Sequence, residues 1–403
     1  MHSDIFTYID PSQPSTVAAG PLAAKSLAIQ PNMSVRGWPT EAGSIALDRF
    51  VAVEDATVVK RLRTAGAKTM VSTRMSELGF GLAGDTAAQA LAEGHADIAL
   101  ITDTMGEVRV AASTTGVFGF KPSYGTVSRF GLIGLVPSME CFGILAGKLE
   151  DIATVMVAIS GSDDRDPSMP GFGPECELPD FSQVCEAKES IAVAGLVKEA
   201  VDGLGPSESE AFSAALSRLE KAGVKIQELS LPDFDLFRSV HNVIGSVEAS
   251  SAGGKYDGVR YGHRSASAKN WNEMYLRSRG ESFGLLVKTY MLQGAYFQFE
   301  NYSAFEDACR IRARLVRKTE ELFDKADLLV FPTRRPGFDA AAAGTINEVY
   351  DAFSLTLLAN VTGMPALALP GLVFDGDVDP GLQLVGPRLS DARLLSVALC
   401  LAG

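Results

Sequence analysis

The 403-residue sequence is poor in the residues on which metal and disulfide chemistry depend. It has four histidines, His2, His95, His241 and His263, and no pair has helical metal-ligand spacing, so no metal site and no cofactor is expected. Five cysteines lie far apart at 141, 176, 185, 309 and 400. An odd number without a C-x-x-C pair argues against a disulfide framework or a zinc knuckle and suits a reducing, cytoplasmic setting. Long apolar runs are missing too. No stretch reaches the roughly 18 residues of a membrane span, and MHSDIFTYIDPSQP has neither the basic nor the apolar region of a signal peptide. Basic clusters are scarce: no Lys/Arg run is longer than the scattered KRLR at 60–63, and the formal net charge is −13. Such a chain repels nucleic acid and anionic lipid, so neither direct nucleic-acid binding nor a membrane is expected.

What is present is globular. Hydrophobic residues make up 46% and charged residues 21%, enough to bury a sizeable core. Apolar strand-like segments alternate with helical ones, the pattern of an α/β fold. GPLAAKSLAIQPN reads as a strand around 27–29. EDATVVKRLRTAG reads as a helix over 55–65, capped by Asp55, with Val58, Val59 and Leu62 on its apolar face and Gly66 at its end. A strand over 68–72, an amphipathic helix over 149–159 and a strand in ESIAVAG follow. Then come a helix capped by Ser207 or Ser209, a long helix over 304–323 and a strand in ADLLVFPT. No internal repeat or low-complexity segment is visible.

The chain is organised around residues 79–122, GFGLAGDTAAQALAEGHADIALITDTMGEVRVAASTTGVFGFKP. A glycine-containing turn runs into an Ala-rich helix, then an apolar strand, then a Thr/Asp/Gly loop of the kind that aims backbone N–H groups into a pocket. This stretch resembles the signature region of the amidase signature family, and within it the A subunit of glutamyl-tRNA(Gln) amidotransferase (GatA-like). The segments EASS, YDGVRYG and ESFG to MLQG resemble that subunit most, and the likeness runs over about residues 20–400. It implies one domain over 1–403 with the amidase-signature fold, a large mixed, twisted β-sheet flanked by helices on both faces. Residues 20–165 would form the signature core, 190–345 a cap on the substrate side, and 346–403 the return to the core.

The resemblance also implies a chemistry: a lysine, a bridging serine and a nucleophilic serine, with backbone amides as oxyanion hole. At the matching positions this chain has Gln30, Ala83 and Glu107. Glutamine has no titratable nitrogen, alanine cannot relay a proton, and an anionic glutamate would sit beside the amides meant for the oxyanion. Loss of one triad member commonly costs orders of magnitude in rate, and loss of all three costs little more. Lys25 cannot substitute, since an offset of five in a strand points it to the opposite face, where it reads as a solvated lysine. The groups with which the A subunit holds the charged ends of glutamine have changed too. Thr289 or Tyr290 follows Val287 and Lys288 where an arginine is expected, and Phe353 stands where an aspartate would be.

Asp103, Thr104, Met105, Gly106 and Arg109 make up the rest of the signature loop. One reading is structural: Asp103 and Arg109 hold the loop, and Glu107 pairs with a cation such as Arg109, two positions along an extended segment. The other is a re-equipped site with Glu107 as base and Asp103 or Glu140 as a second carboxylate, for hydrolysis or a divalent ion. Cys141, Ser113 and Thr104 are weighed as stray nucleophiles. The leading expectation is a pseudo-amidase, more non-enzyme than enzyme, that binds a small-molecule ligand or a partner. GatB/GatC-like subunits or a homo-oligomer are the partners considered. The alternative is an active amidase-type carbon–nitrogen hydrolase built on Glu107.

Overall fold

In the computed structural model, which describes residues 4–11, 19–82, 86–169, 177–187, 189–335, 340–369 and 381–402, eleven strands join one mixed sheet. They are β1 (Phe6–Ile9), β2 (Ser26–Ile29), β3 (Lys68–Thr73), β4 (Ile98–Asp103), β5 (Phe118–Lys121), β6 (Cys141–Ala146), β7 (Val193–Val197), β8 (Lys225–Leu229), β9 (Leu328–Pro332), β10 (Ala366–Leu369) and β11 (Leu382–Val385). Their order across the sheet is β1-β3-β2-β4-β6-β5-β10-β11-β9-β7-β8. β2 runs parallel to β3 and β4, and β7 runs parallel to β8 and β9, while the other neighbours are antiparallel. Every residue of the central strands β4 and β6 is buried, as expected of strands covered on both faces.

The helices are α1 (Thr57–Thr64), α2 (Thr86–Ala92), α3 (Glu107–Thr115), α4 (Leu149–Ile159), α5 (Lys198–Val201), α6 (Pro206–Lys221) and α7 (Leu236–Gly253). They continue with α8 (Trp271–Ser282), α9 (Leu285–Phe299), α10 (Tyr302–Glu320), α11 (Ile346–Ala352), α12 (Leu357–Thr362) and α13 (Asp391–Ala402). The period-2 alternation of the strands sorts them into two layers. Ile98 and Leu100 of β4 join Leu27 and Ile29 of β2 in a core shared with α1, α4, α6 and α13. Ala99 and Ile101 join Ala28 in a core shared with α2, α3, α7, α9, α10, α11 and α12. Gln30 and Asp103 continue the second parity, so both strand ends deliver their side chains to the layer containing α3 and α7. Lys25 has the first parity and pairs with Asp151 of α4 at 2.7 Å, a partly covered ion pair where a solvated lysine was expected.

Three local expectations are corrected. Asp55 does not cap α1; its carboxylate takes the Arg36 N–H and the Arg63 guanidinium, and the N-cap is Ala56. Neither Ser207 nor Ser209 caps α6, because Pro206 already fills its first turn behind Gly205. The signature loop is shorter than the sequence suggests: β4 runs to Asp103 and α3 starts at Glu107, leaving only residues 104–106 between them. α3 lies flat on the sheet because Gly119 and Gly143 face it. A Cβ at either would stand 2.4 Å from the Val108 carbonyl oxygen or 2.7 Å from the Val108 side chain.

Candidate functional site

The turn from β4 into α3 gathers three main-chain N–H groups onto one point. Thr104, Met105 and Gly106 donate to the same oxygen, Oε2 of Glu107, at 2.7, 2.8 and 3.1 Å. The turn depends on Gly106, whose φ is 126°, a conformation that side chains with a Cβ rarely adopt. Glu107 opens α3, so its carboxyl also lies where the helix dipole favours negative charge. The group is nonetheless sealed from water at 3% exposure, and its Oε1 finds no partner among the described residues. Burial, followed by the nearby charge of Asp103, pushes the Glu107 pKa up to about 8, against the opposing pull of the amides. Burial thus favours the neutral acid over the anion at this site.

Arg109 does not meet Glu107. Helical geometry turns it toward the strand end, where all five of its N–H donors are used. Nε and one terminal nitrogen bind Asp103 at 3.4 and 3.0 Å; the rest go to the Thr356 carbonyl, Gln383 Oε1 and Asn360 Oδ1. Asp103 also accepts from Asn360 Nδ2 at 2.8 Å, and both members of the ion pair are fully buried. With its lone pairs occupied in this way, Asp103 is not free to act as a second carboxylate. Glu140 is equally committed, to Arg129 and to the amides of Leu135 and Val136. The described residues hold no group of three or more His, Cys, Asp or Glu that could bind a metal.

A third layer of contacts fixes the loop from the α7 side. His241 Nε2 lies 2.9 Å from the Thr104 carbonyl and Nδ1 lies 2.9 Å from the Tyr350 hydroxyl, which in turn lies 2.8 Å from the Tyr290 hydroxyl. Burial drives the His241 pKa down to about 4, so the ring is neutral and has one N–H. A carbonyl can only accept, which assigns that proton to Nε2 and sets the direction of the chain: Tyr290 O–H to Tyr350, Tyr350 O–H to His241 Nδ1, His241 Nε2–H to Thr104. Tyr290 is stacked on Phe80 with ring centroids 4.2 Å apart, and Tyr290 and Phe353 are fully buried. Thr289 points to solvent instead.

At the end of β2, Gln30 Oε1 accepts from the Thr102 N–H at 2.9 Å and from its hydroxyl at 3.0 Å. The cavity beside it, bordered by Met75, Ser76, Leu82, Ile101 and Ala111, has a volume of about 10 Å³, the threshold for a single water. Ala83 lies outside the described residues. Cys141 is buried with its Sγ 3.8 Å from the Asp103 carbonyl, and burial pushes its pKa up to about 12, so the thiol stays neutral. Ser113 spends its hydroxyl on the Val110 carbonyl of its own helix. His241, Tyr350, Thr356, Asn360 and Gln383 were not singled out from the sequence. Only His241 left a trace there, as the polar member of the apolar set Phe237, Val240 and Ile244 on one helical face.

Amides that converge at the head of a helix following an inner strand of a broad mixed sheet are a donor set of the kind that, left free, can serve as an oxyanion hole. The family profile described as Amidase matches residues 8–88 and 87–395. The chain is 35% identical to the A subunit of glutamyl-tRNA(Gln) amidotransferase from Natronomonas pharaonis, over 93% of this chain and 94% of that one. It is 34% identical to the protein of the same name from Symbiobacterium thermophilum, over 94% and 82%. The solved A subunit from Thermotoga maritima superposes with a TM-score of 0.78 over 99% of this chain and 87% of that one, at 24% identity. A structure described as a vestigial protein complex behind an s-triazine catabolic enzyme gives 0.79 over 99% and 90%, at 23% identity. The chain belongs to the amidase signature family.

Proposed function

We propose that this protein has left amide hydrolysis and acts by binding, as a pseudo-amidase that holds a small ligand or a partner protein. The observation that carries this reading is the Glu107 carboxyl on the three amides of residues 104–106. An oxyanion hole works only if its donors are free to meet the charge that develops in the transition state. Here a tethered side chain holds them permanently. The base is missing as well, since Gln30 carries no titratable nitrogen and already serves Thr102. Where the amidotransferase is expected to hold the charged ends of glutamine, Tyr290 and Phe353 are buried aromatics. The relatives are named as one subunit of an amidotransferase, which supports a role inside an assembly. Free thiols at Cys141, Cys185, Cys309 and Cys400 suit the cytoplasm. Among the described residues no helix is long and apolar enough to cross a membrane.

The test is ammonia release from glutamine, asparagine and a panel of neutral aliphatic and aryl amides, with Glu107→Ala protein beside the wild type. Neither protein is expected to release ammonia, and Glu107→Ser alone is expected to stay silent because no base returns with the serine. Release by the wild type would overturn the proposal. If it vanished in Glu107→Ala it would place the carboxyl at the centre of a new chemistry, and if it persisted the nucleophile would lie elsewhere.

A further inference from the structure

Helix α9 is apolar on two sides. Val287, Tyr290, Met291 and Gly294 face inward, and Gly294 is so close to α7 that a Cβ there would stand 1.8 Å from the Ser246 carbonyl oxygen. The outer side carries Leu285, Leu292, Tyr296 and Phe299, exposed by 79, 68, 52 and 74%. A helix that is hydrophobic all round belongs in an interior, yet in the single chain this one has only its inner face covered. The outer residues are in register. Leu285, Leu292 and Phe299 repeat every seven positions, with Thr289 and Tyr296 four positions after the first two. That is the 3.5-residue seam by which one helix meets another.

We infer that the outer face of α9 is the contact between two copies of this chain, paired antiparallel about a two-fold axis at Leu292. Leu292 is the midpoint of the stripe, so that axis sets Leu285 against Phe299 of the second copy and Leu292 against itself, an isologous contact. Three observations favour a second copy as the occupant. The first is charge: the net charge of −13 opposes self-association over most of the surface, so two copies meet most readily on a charge-poor face such as this stripe. α9 contains one charged residue, Lys288, whose ammonium is held by the Gly280 carbonyl. The second is area: the four large outer side chains expose roughly 500 Å² per copy, well over half of the roughly 800 Å² per partner of a standard interface. The third is composition: α9 lacks the Lys/Arg-rich polar face by which an interfacial helix lies on lipid. The inference does not depend on whether the site hydrolyses amides.

Sedimentation of the full-length protein tests it. The wild type is expected at twice the chain mass, and Leu292→Glu and Phe299→Glu at the chain mass with unchanged circular dichroism. Leu292→Cys is expected to form a disulfide-linked dimer under mild oxidation that the wild type, with its native cysteines, does not form. A wild type at the chain mass would overturn the inference. So would a dimer indifferent to Leu292→Glu, which would lie on another face. Wild-type protein at the chain mass that floats with phosphatidylcholine vesicles, and loses this on Leu292→Glu, would make the stripe a lipid contact and overturn it equally.

Discussion

Replacing Glu107 by glutamine should change how stability depends on pH, in a window the structure defines. Burial and the Asp103 charge raise the folded-state pKa of Glu107 to about 8, from an ordinary value of 4.5. Between those values the folded protein keeps a proton that the unfolded chain has released, so stability falls as pH rises. His241 acts in the opposite sense. Its pKa is lowered from 6.5 to about 4, so between those values the unfolded chain binds the proton and stability rises with pH. The two slopes oppose each other below pH 6.5, and from 6.5 to 8 Glu107 acts without His241. One proton is worth about 1.4 kcal/mol per pH unit, so the wild type should lose on the order of 2 kcal/mol across that window. Glutamine keeps an acceptor oxygen for the three amides and has no proton to lose, so the variant should gain on the wild type by that amount. Urea unfolding of both proteins at pH 6.5, 7, 7.5 and 8 measures the difference and cancels the titrating groups that do not interact with Glu107. Parallel pH profiles would refute the reasoning and mean that the amides hold a carboxylate anion.

Gly106→Ala puts a Cβ at φ 126° and 2.1 Å from the Thr356 hydroxyl, and should cost about 3 kcal/mol or more, read as a fall in the urea midpoint. Arg109→Met strands the Asp103 carboxylate in the interior without its cation; a loss of about 3–5 kcal/mol is expected in the same assay. Cys141→Ala should leave unchanged the number of thiols that react with a disulfide reagent in the native protein at pH 7.5, since the buried Cys141 thiol stays neutral.

How far the sequence announced this structure depends on how local each cause is. α4 spans 149–159 as its amphipathic pattern predicts, because one face meets the sheet and the other meets water. α3 was invisible for the converse reason. Residues 107–113 are all buried, so no polar face marks the helical period, and GEVRV alternates like an extended segment. Asp55 was the right residue type for a helix cap but had a stronger offer from Arg63, eight residues on. That an amide side chain ends β2 and a carboxyl opens α3 was legible in the identities of Gln30 and Glu107. The partners of Arg109 were not: Thr356, Asn360 and Gln383 come from 247 to 274 residues away and reach it only through the sheet order. The Tyr290–Tyr350–His241 chain was hidden for the same reason, since α7, α9 and α11 meet only in the folded layer.

An oxyanion hole is a standing frustration: amide donors are kept dehydrated and idle so that a short-lived charge can use them. On the reading proposed above, Glu107 relaxes that tension by occupying the donors, and its Oε2 satisfies the three amides that lead into α3. The exchange is the familiar trade between activity and robustness run toward robustness. It also makes the change hard to reverse, because re-opening the hole removes a stabilising contact before any catalytic gain can appear. On that reading the lineage keeps a sturdier scaffold, free to be selected for what its outer surfaces touch.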